Sequence, residues 1–128
     1  MTPFGEKVRA LRRSRGVSQK DMAAALGVSA AYLSALEHGR RGRPSWATVQ
    51  KVIGYFNIIW DEADELESLA FLSDPRVTID TSGLSPRATR LANLLADGIG
   101  RLDEAALEAL SERLEAALSE RPADQKSA

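Results

Sequence analysis

Two serines and a glycine, Ser18, Gly27 and Ser29 in SQKDMAAALGVSAAYLSALEHG, constrain this chain more than any other feature. A serine whose hydroxyl accepts from an amide a few residues on starts a helix, and a glycine accommodates the left-handed backbone at which one ends. With Ser18 and Ser29 as N-caps, and Asp21 as the acid of a capping box, the stretch holds two short helices joined by a tight turn at Gly27. Met22, Ala23 and Leu26 on the first, and Leu33 and Leu36 on the second, set one inward stripe, and Gly39 closes the unit. Helices this short are marginal alone in water, so other elements must cover that stripe.

The flanks supply them. In TPFGEKVRALRRSRG the apolar Phe4, Val8 and Leu11 recur at helical spacing, with Thr2 as the cap, Pro3 in the first turn and Gly16 as the stop. In PSWATVQKVIGYF, Val49, Val52, Ile53 and Phe56 continue a stripe from Trp46, which is expected in the core or at its edge rather than as a wedge into a ligand. NIIWDEADELESLAFLSD predicts a fifth helix with Trp60, Ala63, Leu66, Leu69, Ala70 and Leu72 inward and an acidic outer face. The fold class is therefore all-α, with a five-helix bundle over residues 1–73 and a two-helix extension after it. Asp74-Pro75 and Ser85-Pro86 bracket a linker at 74–84, within which Val77 to Ile79 offers a short extended segment. Residues 85–120 predict a helical hairpin whose second helix carries Leu107, Leu110, Leu114 and Leu118; the tail at 121–128 predicts disorder. Two such helices bury little alone. They either pack on the bundle or form a dimer surface, and the dimer is the preferred expectation.

Composition removes most other functions. The chain has 128 residues and is 44% hydrophobic, with no run apolar enough to span a bilayer and no signal-peptide core near its N-terminus. It has no cysteine and one histidine, which leaves a transition-metal site or a histidine-dependent triad short of parts. No metal, no cofactor and no enzymatic role are expected, and the expected compartment is the cytoplasm. The acids Asp61, Glu62, Asp64 and Glu65 crowd one helix, but successive helical residues point apart and do not gather readily around one cation. Charge is divided sharply. Residues 1–51 hold ten Lys or Arg against three Asp or Glu, a net of +7, whereas residues 52–128 hold seven against fifteen, a net of −8. One half suits a polyanion and the other would be repelled by it.

The register of Gln19, Ala23, Gly27, Leu33, Leu36, Glu37 and Gly39, preceded by a helix with Arg12 and followed by PSWATVQKVIGYF, resembles the lambda-repressor-like helix-turn-helix domain of the XRE family of bacterial and phage regulators. The resemblance covers roughly residues 4–60. It implies a compact helical bundle whose third helix, at residues 29–38, lies in the DNA major groove. It also implies an ion pair between Arg12 and Glu37, and a phosphate contact from Gln19. Ser18 and Lys20 flank Gln19 at a helix N-terminus that is itself suited to an anion. Tyr32 is open between a phosphate contact and packing on the second helix. His38 is open between a backbone contact and a partner for the helix dipole. In HGRRGRPS, Arg40, Arg41 and Arg43 offer bidentate donors to phosphate oxygens where the chain must pass the sugar-phosphate backbone.

The positions that should face base edges are Ser29, Ala30, Ala31, Ser34 and Ala35. None is a Gln, Asn or Arg capable of a bidentate base contact, a departure from the better-known phage repressors. Alanine touches thymine methyl groups and serine pairs with several edges, so DNA shape and the arginine loop are expected to carry more of the specificity. The expectation is a sequence-specific regulator of transcription binding double-stranded DNA as a homodimer, a repressor rather than an activator. The alternative is an antitoxin-type autoregulator whose acidic C-terminal half binds a partner protein.

Overall fold

The polar groups at the start of each helix explain where the helices begin. In the computed structural model, which describes residues 1–120, α1 spans Pro3–Ser14, α2 Gln19–Leu26, α3 Ala30–Glu37 and α4 Trp46–Phe56. All four open on a hydroxyl accepting an otherwise unpaired amide: Thr2 from Gly5 at 3.0 Å, Ser18 from Asp21 at 3.0 Å, Ser29 from Tyr32 at 3.0 Å and Ser45 from Thr48 at 3.2 Å. At Ser18 only this arm of the capping box forms among the described residues, with no return bond from the Asp21 carboxylate. Gly27, at φ 73°, ends α2 in the left-handed region, and only Val28 separates it from the Ser29 cap.

Three further helices follow: α5 at Trp60–Phe71, α6 at Pro86–Gly98 and α7 at Glu104–Ser119, with a 3₁₀ turn at Ile99–Arg101 between the last two. No strand occurs among the described residues, and Val77 to Ile79 run as irregular chain. The predicted tail at 121–128 lies outside the described residues. The chain divides into two units, Met1–Thr78 and Ile79–Ala128.

In the first unit α1 packs on α3 and α5, α2 on α3 and α4, and α4 on α5. Their inward stripes meet in one core, built from Phe4, Val8 and Leu11 of α1, Met22 and Ala23 of α2, Leu33 and Leu36 of α3, Val49, Val52 and Phe56 of α4, and Leu66 and Ala70 of α5. Both tryptophans depart from the expected stripes. Trp46 is 74% exposed, because it occupies the first position of α4, at the margin of the bundle, where it rims a groove and is not covered. Trp60 is 80% exposed, since its backbone stands at φ 57° and turns the side chain off the line of Ala63, Leu66 and Ala70. The apolar seat ahead of α5 goes instead to Ile58, which is buried. Leu72, past the end of α5, is also exposed.

In the second unit α6 packs on the 3₁₀ turn that follows it, and neither α6 nor α7 has a buried residue. α6 and α7, the two helices of the predicted hairpin, are joined through that turn and have no extensive face in common.

Candidate nucleic-acid interface

The orientation of α3 is set from behind. The Thr2 amide and hydroxyl both donate to the Glu37 carbonyl at 3.3 Å, tying the start of α1 to the end of α3. Gly5 permits that approach: a Cβ there would overlap the Glu37 carbonyl group. The Glu37 side chain is fully buried and accepts from Arg12 twice, Nε to Oε2 at 3.1 Å and Nη2 to Oε1 at 3.2 Å. Gln19 Nε2 adds a third bond to Oε1 at 3.3 Å. One desolvated carboxylate thereby joins α1, α2 and α3, the condition under which a buried charge is tolerated. Gln19 is half-buried rather than free, yet its amide carries two hydrogens and engages Glu37 with one.

On its opposite side α3 is open. Ser29, Ala30 and Ala31 are exposed, while Ser34 and Ala35 are half-buried. The Ser29 hydroxyl already accepts the Tyr32 amide, which leaves its proton available outward. Ser18 and Lys20 are exposed at the start of α2, where the first helical amides have no intrahelical partner.

The arginine loop is not three equivalent cations. The Arg41 guanidinium lies 4.7 Å from the centre of the Tyr32 ring, and Arg43 lies 4.4 Å from that of Phe71, so each planar group rests on an aromatic face. Tyr32 thus acts as a platform for Arg41. Arg40 has no such support, and none of the three is in an ion pair among the described residues. His38 is half-buried with Nδ1 2.9 Å from the Ser34 carbonyl; since a carbonyl only accepts, Nδ1 holds the proton. Neutral His38 therefore has no ring donor left for a phosphate, and gains one only as the imidazolium.

Several contributors have little or no signal in the sequence. Gly5 and Phe71 beneath Arg43 are brought to this side by tertiary contacts, while the Ser45 and Thr48 hydroxyls, 2.9 Å apart, form a local pair at the start of α4. Gly5 has a faint one, as a costly residue in the first turn of an otherwise well-formed helix.

The family model for a helix-turn-helix domain matches residues 3–66, which takes in all of α1 to α4 and the turn between α2 and α3. The chain belongs to the XRE-like helix-turn-helix family. Over 92 residues it is 39% identical to the HTH-type transcriptional regulator DdrOP3 of Deinococcus deserti, a match covering 72% of this chain and 64% of that protein. It is 46% identical over 52 residues to the HTH-type transcriptional repressor RghR of Bacillus subtilis, covering 41% of this chain and 38% of the repressor. The uncharacterized regulator RghRB of the same organism is 36% identical over 61 residues, covering 48% and 44%. The chain thus spans between 38% and 64% of the length of these relatives. No solved structure gives a significant match. In helix-turn-helix terms α2 and α3 are the paired helices, and the second presents the face of Ser29, Ala30, Ala31 and Ser34. Among the described residues no group of acidic or histidine side chains could hold a metal ion, and no helix is long and apolar enough to cross a membrane.

Proposed function

We propose that this protein is a sequence-specific regulator of transcription that lays α3 in the major groove of double-stranded DNA and acts as a repressor. One observation carries the reading. The open face of α3 runs directly into Arg40, Arg41 and Arg43, cations with no carboxylate partner among the described residues, on the half of the chain with net charge +7. A groove-bound helix needs such cations where the chain crosses the phosphates. Specificity then comes from Ser29 and Ser34 hydroxyls, alanine contact with thymine methyls and sequence-dependent DNA shape, since no long polar side chain reaches out from this face. Ser18, Gln19 and Lys20 hold a second phosphate at the α2 N-terminus. Repression is favoured by the likeness to RghR, itself a transcriptional repressor. No catalytic step and no cofactor enter this reading.

Binding selection from a random duplex pool tests it. One family of sequences should be enriched. Replacing Arg40, Arg41 and Arg43 by alanine should weaken binding to every duplex, with the log–log salt slope falling by about 0.9 for each phosphate that an arginine had neutralised. A pool that emerges unenriched refutes sequence specificity.

The second unit is read as the homodimer surface. Leu110, Leu114 and Leu118 of α7 and Leu91 and Leu94 of α6 are each more than half exposed, and no described segment of the chain covers them. A second copy would, and paired readers on two half-sites gain from the linkage. Removing residues 79–128 should yield a monomer by sedimentation that still melts cooperatively and binds a palindromic site far more weakly. A truncated protein that remains dimeric moves the interface to the first unit. A full chain that copurifies with a different protein on these leucines points instead to the antitoxin-type alternative.

A further inference from the structure

Arg76 lies beyond α5 and outside the residues that match the helix-turn-helix family, and in the sequence it belongs to a linker. The fold brings it back to the reading helix. The Ser73 hydroxyl, just after α5, accepts the Phe4 amide at 2.9 Å, which ties the departing chain to the start of α1. That same end of α1 is bonded through Thr2 to the Glu37 carbonyl at the end of α3. Pro75 then lies beside Gly39, where an added Cβ would stand 3.7 Å from Pro75 Cγ. The Arg76 amide donates to Asp74 Oδ1 at 3.0 Å, a short turn that fixes the direction of the chain.

These contacts leave an open depression of about 370 Å³ at the C-terminal end of α3, lined by His38, Gly39, Arg40, Pro75 and Arg76. Two arginines, Arg40 and Arg76, line it, and neither is in an ion pair among the described residues. Like charges held in one depression repel, and an anion with several oxygens relieves the repulsion while accepting from both forks. We propose that Arg76 and Arg40 together clamp a backbone phosphate of the bound duplex beside the groove that α3 enters. The clamp rests on the DNA-binding reading above and adds to it a residue from outside the helix-turn-helix motif. It makes the segment after α5 part of the interface: the tether through Ser73 and Pro75 sets where the second guanidinium stands. Because the contact is to a phosphate, it supports affinity on every sequence and specifies none.

The test uses the full chain, a random-sequence duplex and a duplex recovered by selection, each titrated over a range of salt. Arg76→Gln should lower the log–log salt slope by about 0.9 on both duplexes with an unchanged melting temperature, and Arg76→Lys should retain most of it. A parental slope for Arg76→Gln, alongside a lowered slope for Arg40→Gln, overturns the clamp while leaving DNA binding intact. A loss confined to the selected duplex overturns it in favour of base reading. If Arg76→Gln keeps the DNA slope yet abolishes thermal stabilisation of the protein by inorganic phosphate, the depression is a small-anion site and its DNA role is overturned. Should the parent protein retain neither duplex even at low salt, the DNA-binding reading itself falls.

Discussion

Residues 1–78 and residues 79–120 are made of similar amphipathic helices and end in opposite states. In the first unit every helix surrenders an apolar face to a common core, and residues as polar as Glu37, Arg12, Thr2 and Ser73 are buried with their hydrogen bonds made. In the second, Leu84, Leu91, Leu94, Ile99, Leu110, Leu114 and Leu118 are each more than half exposed. The contrast does not lie in the presence of a stripe, since α7 carries Leu107, Leu110, Leu114 and Leu118 at helical spacing as α1 carries Phe4, Val8 and Leu11. It lies in how many elements cross. Five helices folded back on one another shield a central volume from water, whereas two helices joined through a 3₁₀ turn, with no extensive face in common, have only flanks to share. A leucine stripe therefore marks a face that wants a partner without saying where the partner is. Charge follows a different boundary: the basic stretch ends at residue 51, within α4, and the acids of α5 already lie in the first unit.

The largest effect should come from the buried carboxylate. Glu37→Ala leaves the Arg12 guanidinium desolvated and unpaired and should cost the first unit about 3–5 kcal/mol, whereas Glu112→Ala on exposed α7 should leave thermal melting unchanged. Equal melts for the two variants would break the distinction between the units. Next comes Gly5→Ala, in which one methyl group must displace the Glu37 backbone; overpacking of this kind should cost about 2–3 kcal/mol and lower DNA affinity through the same shift of α3. If Gly5→Ala melts like the parent, α1 does not hold α3 as closely as this geometry requires.

Leu114→Ala sharpens the comparison from the other side. With Leu114 buried only in a dimer, its removal should forfeit about 1.5–3 kcal/mol of association for each copy, seen as dissociation in sedimentation equilibrium, and leave the melting of the first unit alone. The smallest effect belongs to Asp80, at the head of the second unit. The Ser82 hydroxyl and amide donate to its carboxylate and hold its pKa below the ordinary range. A depressed folded pKa favours this turn above the unfolded value and withdraws that support as pH falls through the lowered one. Ser82→Ala should return the Asp80 titration upward in a carboxyl NMR experiment without altering the melt. An Asp80 titration that stays depressed would assign the shift to some other neighbour.

Much of the helix-turn-helix was legible because its signals are local. Ser18, Gly27 and Ser29 announce helix, turn and helix through backbone angles and bonds that span only a few residues, so each needs no knowledge of the rest of the chain. The five inward stripes were equally plain, down to Phe4, Val8, Leu33, Val52 and Leu66. The two tryptophan errors share one cause. Trp46 and Trp60 sit at helix beginnings, where periodicity extends a stripe past the point at which a neighbouring helix covers it, and Ile58, outside any helix, took the place that Trp60 was given.

Local bonding and hydrophobic period, both properties of a segment, thus determined the seven helices and the tight turn, and the residue types alone determined the division of charge. Tertiary structure alone decided which faces were covered. It seated Gly5 against Glu37, laid Arg43 on Phe71, joined Gln19 to the Arg12–Glu37 pair and returned Arg76 to the end of α3. Each of these depends on the approach of segments far apart in the chain, and such approaches are set by the simultaneous packing of all five helices of the first unit, not by any pattern that one of them carries.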